Sequence, residues 1–342
     1  MAPRGMADHI VTTEDSGRLL MVGWEGNDPS EPISLLEKYR PTGLVFFRRN
    51  FPGSYEALKK DIREIHRAAR KILRRNILMA LDHEGGVVNR LPLDETLIPS
   101  HGELTYMARM SGLAKVEKVS RDIALVLKDL GFNFNLAPVA DLAGAGDFME
   151  KRSFGRDPKE ASRVALAFWE GHRQAGLLNC AKHFPGLGSA REDPHEVLPV
   201  VDKPLSDLLE KDGMPFRTLI QRGLQAVMTT HALFVDADPD RPATFSEKIA
   251  GALKNDFEFK GPILTDDLEM GALNHVEGIE GPGDAAVKAV QSGHDLVLVC
   301  RREENVEEAS LKIEEALVDG IISPTRFRQA ILRVGRLVKL LA

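Results

Sequence analysis

Cysteine is nearly missing from this chain of 342 residues: Cys180 and Cys300 are the only two. They form no Cys-x-x-Cys pair and supply no disulfide framework, so neither a thiolate metal site nor a stapled fold is expected. Each sits in or at the end of an apolar run, where a thiol behaves as a small buried hydrophobe. Long apolar stretches are missing too. Nothing approaches the length that crosses a bilayer, and Met1–Ser16 carries no apolar core of a signal peptide, so a reducing cytoplasm is the expected compartment. Nor is there an excess of positive charge. The formal net charge is −6, which argues against a nucleic-acid surface, where Lys and Arg must gather against phosphate. The basic stretch Arg67–Arg75 lies along one helical segment and reads as a solvated face.

What is present is a regular alternation. Hydrophobic residues make up 43% and charged residues 28% of the chain, the balance of an ordinary globular protein. Short apolar runs recur at Leu19–Trp24, Gly43–Phe47, Ile77–Leu81, Phe132–Val139, Leu178–His183, Ala226–His231, Pro262–Thr265 and Asp295–Cys300. Amphipathic segments separate them. Leu58, Ile62, Ile65, Ala69, Ile72 and Leu73 step by three and four, which predicts one apolar helical stripe. Helices are also predicted over Ala161–Ala175, Leu205–Ile220, Ser246–Phe257 and Asp284–Ser292. A last one starts at Ser323-Pro324, a cap followed by proline in the first turn.

Strands that are apolar throughout, alternating with helices, predict a parallel sheet covered on its outer face. Eight of them favour an α/β fold of the (β/α)₈ TIM-barrel type over an open doubly wound sheet. No Gly-x-Gly-x-x-Gly follows the first strand, which weakens the dinucleotide-binding alternative. No linker divides the chain, so residues 1–342 are expected to form a single catalytic domain.

Polar residues collect where such a barrel presents its chemistry, at the carboxyl ends of the strands. Strand three ends in Asp82-His83-Glu84, strand four leads through Asn133 and Asn135 to Asp141, and strand five ends in Lys182-His183. Strand six ends in His231 and strand seven in Asp266-Asp267. A metal-dependent amidohydrolase would want His-x-His on its first strand, yet that strand ends Val22-Gly23-Trp24-Glu25; no metal or cofactor is expected. Sugar hydrolysis needs a carboxylate beneath the anomeric carbon, an acid/base beside the departing oxygen and charged groups to grip ring hydroxyls. Asp266 supplies the first, the Asp193 and His195 pair the second, and Asp82, Arg90, Arg152 and Lys182 the third. Asp267 is expected to cap the following turn.

Five segments carry a family resemblance, in order, from about Leu19 to Arg301. Leu81-Asp82-His83-Glu84-Gly85-Gly86 with Arg90 is similar to Asp-Gln-Glu-Gly-Gly…Arg, and Ala137-Pro138-Val139-Ala140-Asp141 to Ala-Pro-Val-x-Asp. Arg152-Ser153-Phe154-Gly155 with Asp157-Pro158 matches Arg-Ser-Phe-Gly…Asp-Pro. Lys182-His183-Phe184-Pro185-Gly186-Leu187-Gly188 with Asp193-Pro194-His195 resembles Lys-His-Phe-Pro-Gly-His-Gly…Asp-Ser-His. Thr265-Asp266-Asp267-Leu268-Glu269-Met270 is similar to Ser-Asp-Asp-Leu-x-Met. Together they resemble the β-N-acetylhexosaminidase branch of glycoside hydrolase family 3.

The resemblance implies a retaining mechanism with Asp266 as nucleophile and His195 as general acid/base oriented by Asp193. Asp82, Arg90, Arg152, Lys182 and His183 would hold a terminal N-acetylglucosamine. It implies a carbohydrate substrate taken from muropeptide fragments in the cytoplasm, with no nucleic-acid or membrane partner; protein partners are left open. A histidine near its ordinary pKa of about 6.5 can donate and accept a proton at neutral pH. Gly186 and Gly188 are expected to let the loop swing. Three positions depart from the family pattern: Leu187 stands where histidine is usual, Pro194 where serine is usual, and His83 where glutamine is usual. Two other readings of such a scaffold are a phosphorylase and a non-catalytic sugar-binding barrel.

Overall fold

The computed structural model describes residues 12–194 and 196–341, so His195, the expected acid/base, lies outside the described residues. Eight parallel strands form a closed barrel. They are β1 (Leu20–Val22), β2 (Gly43–Phe46), β3 (Leu78–Leu81), β4 (Phe134–Asn135), β5 (Leu178–Phe184), β6 (Ala226–Thr229), β7 (Ile263–Asp267) and β8 (Leu296–Val299). Neighbours in sequence pair around the ring, and β1 closes it by pairing with both β2 and β8. Each falls within or against one of the apolar runs.

Alternation along the strands divides the core in two. Met21, Val45, Leu78, Ala80 and Cys180 pack inside the barrel. Leu20, Val22, Leu44, Phe46, Met79 and Leu81 face outward and meet the helices. Both cysteines are buried and free, and burial pushes both thiols up, as fits structural side chains.

The helix Tyr55–Leu73 buries Leu58, Ile62, Ile65, Ala69 and Leu73, close to the predicted stripe. Pro158–Ala175 is capped by Asp157, whose carboxylate accepts from the Glu160 amide at 2.7 Å. The helix predicted over Leu205–Ile220 is broken instead. A helical turn, Leu205–Asp207, runs into a π-turn, Leu208–Asp212, before Met214–Gln221 restarts. Pro215 explains the break, since it brings no amide and starts a helix better than it continues one.

The last helix, Pro324–Lys339, has a role that periodicity did not reveal. Its Val334 and Leu337 join the inner cluster of the barrel. Arg333 donates to the carbonyls of Phe259 and Gly261 just before β7, and Arg326 donates to that of His294 just before β8. The helix therefore plugs the amino-terminal end of the barrel, and chemistry is left to the other end. Among the described residues no helix is long and apolar enough to cross a membrane.

Candidate active site

Asp82 follows β3 directly, and a short antiparallel ribbon, His83–Gly85 with Val88–Asn89, folds back over it. The ribbon brings Arg90 to 3.3 Å from Asp82 Oδ2 and buries Glu84 almost completely. Lys182, on β5, places its ammonium 2.6 Å from Asp82 Oδ1 and 2.7 Å from Glu84 Oε1. Arg152, on the turn Glu150–Arg152, grips Glu84 with both prongs, Nε and one terminal nitrogen each donating at 2.8 Å. Such bidentate pairing fixes both orientation and charge.

Burial opposes ionisation of both carboxylates. For Asp82, Lys182 and Arg90 outweigh it and hold the carboxyl below its ordinary range. For Glu84, Arg152 and Lys182 outweigh it by more, and its carboxyl falls well below. Burial likewise opposes the charge on Lys182, but Asp82 and Glu84 reverse that and raise it. Asp82, Glu84 and Lys182 thus each favour the charged form of the others.

His183 is held from behind. Asp141, itself buried, accepts from His183 Nδ1 at 2.7 Å and from the Leu187 amide at 2.6 Å. A carboxylate acceptor puts the ring proton on Nδ1 and leaves Nε2 facing the site. That nitrogen lies 3.5 Å from an Arg152 nitrogen and 3.9 Å from Asp266 Oδ2.

The two aspartates closing β7 differ. Asp266 accepts from the Asp267 amide through Oδ1 at 2.8 Å, and its side chain is 21% exposed toward the cavity. Burial opposes its ionisation, but His183, His231 and Lys182 outweigh burial and hold the carboxyl down. Asp267 turns away: its Oδ1 accepts from the amides of Glu269 and Cys300. It caps the turn, as its position predicts. Burial, reinforced by Glu269 and Asp266, pushes its carboxyl up to about 7.

These groups line one cavity of about 230 Å³. It holds Asp82, Arg90, Arg152, Lys182, His183 and Asp266 together, six of the eight residues singled out in the sequence, with Glu84, Met270, Leu187 and Pro194 completing the wall. Its volume is below the ~300–1,000 Å³ usual for drug-sized ligands, so it suits one ring better than a chain. Asp193 is not part of that wall. Its carbonyl accepts from the amides of Glu196 and Val197 in a tight turn, while the Pro194 carbonyl accepts from Ala272 at 3.1 Å. The tip of the loop is thus tied to the segment after Asp266.

One expectation changes. Gly186 and Gly188 are packing positions, not hinges: a Cβ on Gly188 would lie 1.9 Å from the Leu142 carbonyl oxygen, and one on Gly186 2.8 Å from Asp212 Cβ. The first turn of the loop is buried and fixed. His83, which stands where glutamine is usual, is buried outside the cavity wall; its Nε2 lies 2.6 Å from the Thr96 carbonyl, and burial pushes the imidazole down to about 4. Glu84 and Asp141 are the residues that sequence reading left without a role. Both stood within the matched segments, but nothing in a linear string reports that one carboxylate will bridge two cations.

The chain matches the family description "Glycosyl hydrolase family 3 N terminal domain" over residues 11–337. It is 35% identical to a beta-hexosaminidase of Methylococcus capsulatus across 86% of this chain and 84% of that one. It is 36% identical to a beta-hexosaminidase of Idiomarina loihiensis across 82% of this chain and 83% of that one. A solved family 3 beta-N-acetylglucosaminidase from Paenibacillus superposes with a TM-score of 0.90 at 31% identity, covering 98% of this chain, which spans 64% of that longer one. A fold that gathers six charged side chains around one ring-sized cavity, and a likeness that runs nearly end to end, agree: the chain belongs to glycoside hydrolase family 3, on its β-N-acetylhexosaminidase branch.

Proposed function

We propose that this protein is an exo-acting, retaining β-N-acetylglucosaminidase that removes terminal N-acetylglucosamine from cell-wall fragments in the cytoplasm. Asp266 attacks the anomeric carbon and forms a glycosyl ester as the C–O bond to the aglycone breaks. His195, oriented by Asp193, gives its proton to the departing oxygen and then takes one from the water that hydrolyses the ester. Asp82 and Arg90, Lys182, and the Arg152 and His183 pair hold the ring hydroxyls and the acetamido group.

The observation that carries this reading is the setting of Asp266. Among the described residues it is the one carboxylate lining the cavity without a hydrogen-bonded Lys or Arg of its own; the nearest side-chain nitrogen recorded against it, His183 Nε2, stands 3.9 Å off. A carboxylate kept ionised yet unclaimed is suited to nucleophilic attack. Pro194 lines the cavity and its carbonyl is tied to Ala272, which supports a loop tip that serves the same site. The small closed volume supports removal of single terminal sugars.

Asp266→Asn is the test. Release of 4-nitrophenol from its β-N-acetylglucosaminide should fall about a thousandfold or more, as expected for loss of a nucleophile, with the fold intact. Undiminished release would reject this nucleophile. Retention is read by following the anomer first formed from the parent protein by NMR. A sugar 1-phosphate formed with phosphate present would reassign the protein as a phosphorylase, and N-acetylglucosamine binding without turnover of any glycoside would make it a binding barrel.

A further inference from the structure

The loop carrying Asp193 and residue 195 leaves the barrel after Phe184 and returns at Val200–Val201, which pairs with Leu233–Phe234. Leu187 and Pro194 give it one face on the Asp266 cavity. Its other face, at Gly188, Ala190 and Arg191, borders a second and larger cavity of about 710 Å³. Leu187 and Ala190 pack into the core and Gly188 lies against the Leu142 backbone, so the first turn of the loop is anchored and its later course depends on where the chain returns. Its fixed points decide where it lies.

Asp212 is placed to be such a point. It is 2% exposed and ends the π-turn Leu208–Asp212, where the Gly213 amide reaches back to the Leu208 carbonyl at 2.7 Å. Its carboxylate pairs with Lys203, two residues beyond the returning strand. Its Cβ abuts Gly186, which has φ +136° and where any side chain would be both strained and crowded. One buried side chain therefore touches both feet of the loop, which stand seventeen residues apart in sequence (203 − 186). Asp141 fixes the near foot again through the Leu187 amide. The far foot is held by backbone bonds from Leu233 to the Pro199 carbonyl and from Val235 to the Val201 carbonyl, by the Leu205 amide on Asp236, and by Lys203, whose ammonium pairs with Asp212.

We infer that Asp212 is a positioning residue: through Lys203 and Gly186 it spaces the two feet of the loop and so sets the course of the segment that carries the proposed proton donor. The inference rests on the acid/base reading of Asp193 and His195 proposed above. Asp212 touches neither the sugar cavity nor the reacting atoms. Its effect should appear only in steps that need the loop's proton.

Leaving-group chemistry separates that effect from a general loss of structure. An alkyl β-N-acetylglucosaminide must receive a proton as its C–O bond breaks, whereas 2,4-dinitrophenolate leaves as the anion. Lys203→Met should lower kcat/KM for the alkyl glycoside about tenfold or more and leave that for the dinitrophenyl glycoside within about twofold, the signature of a misplaced acid. Lys203→Arg should restore the alkyl rate. Should Lys203→Met melt below the assay temperature, Asp212→Asn keeps the shape against Gly186 and carries the same expectation. An equal fall on both substrates, or a fall on neither, would overturn the clamp. His195→Ala is measured alongside. If it discriminates strongly between the two substrates while the clamp variants do not, the clamp alone fails. If it does not discriminate, the dyad assignment fails and the clamp with it.

Discussion

At the amino-terminal end of the barrel Asp295 is fully buried, accepts from the Ile263 amide at 3.0 Å and pairs with Arg326, while Arg326 also donates to the carbonyls of Val290 and His294. At the carboxyl-terminal end Asp82 and Glu84 are equally hidden but meet Arg90, Arg152 and Lys182. The two ends titrate in opposite directions. Burial wins at Asp295 and raises its carboxyl despite Arg326 and Lys254. Cations win at Asp82 and Glu84 and lower theirs. The difference is one of partners. At the plugged end Arg326, Arg333 and Lys254 are all shared with backbone carbonyls; at the open end Arg90, Arg152 and Lys182 meet Asp82 and Glu84 beside a cavity. Side chains that line a cavity can exchange partners with a ligand, whereas those tied to backbone cannot.

Removing Arg326 should break the plugged end most severely. Arg326→Met takes from buried Asp295 its one cation within hydrogen-bond distance, leaving Arg333 at 4.0 Å, and loss of one partner from a buried pair costs about 3–5 kcal/mol. We expect that loss in urea unfolding, with kcat of the folded fraction unchanged. A changed kcat well below the melting transition would erase the distinction between the two ends. Glu84→Gln should do the reverse. It keeps the shape but frees Lys182 and Arg152 to drift toward Asp82 and Asp266, lowering kcat/KM by about 10–100-fold through misplaced contacts. Stability should change less than in Arg326→Met, because the cavity lets water reach the cations. An equal loss of stability with normal kinetics would make the open cluster as structural as the plugged one.

The barrel was legible in the sequence because its signal is repeated and local. Eight apolar runs and their intervening stripes each report a strand or a helix without reference to distant residues. The stripes that went unread are those written in small or polar residues: Glu303–Val318 buries Val306 and Ile313 but also Ala309, Ser310 and Ala316, and His101–Ser111 buries His101, Leu104 and Thr105. Leu113–Leu130 is strongly amphipathic, and its omission has no such excuse. In the site, Asp82, Arg90, Arg152, Lys182, His183 and Asp266 were found by motif and do converge. Glu84, Asp141 and Asp212 were not, since each works by bridging groups that are far apart in the chain. Lys182 is 98 residues beyond Glu84 (182 − 84), and only closure of the barrel brings them to 2.7 Å. Gly186 and Gly188 failed for a related reason: glycine reads alike whether it serves motion or close packing, and the Leu142 carbonyl decides it here.

A finer contrast lies within the open end, between the neighbours Asp266 and Asp267. Asp267 keeps its proton up to about 7, whereas an aspartate in an unfolded chain releases it near 3.8. Between those values the folded state binds more protons than the unfolded one, so stability falls as pH rises through the window. Asp267→Asn retains an acceptor oxygen for the Glu269 and Cys300 amides and removes the titration. The variant should therefore gain on the parent steadily from about pH 4 to about pH 7 and no further above it, by on the order of 1–2 kcal/mol once screening at this partly exposed site is allowed for. Paired melting curves across that range measure the gain. A difference that stays constant with pH would mean that Asp267 is already ionised beside Asp266, and Asp266 would then sit in a more negative field than its neighbours His183, His231 and Lys182 provide against.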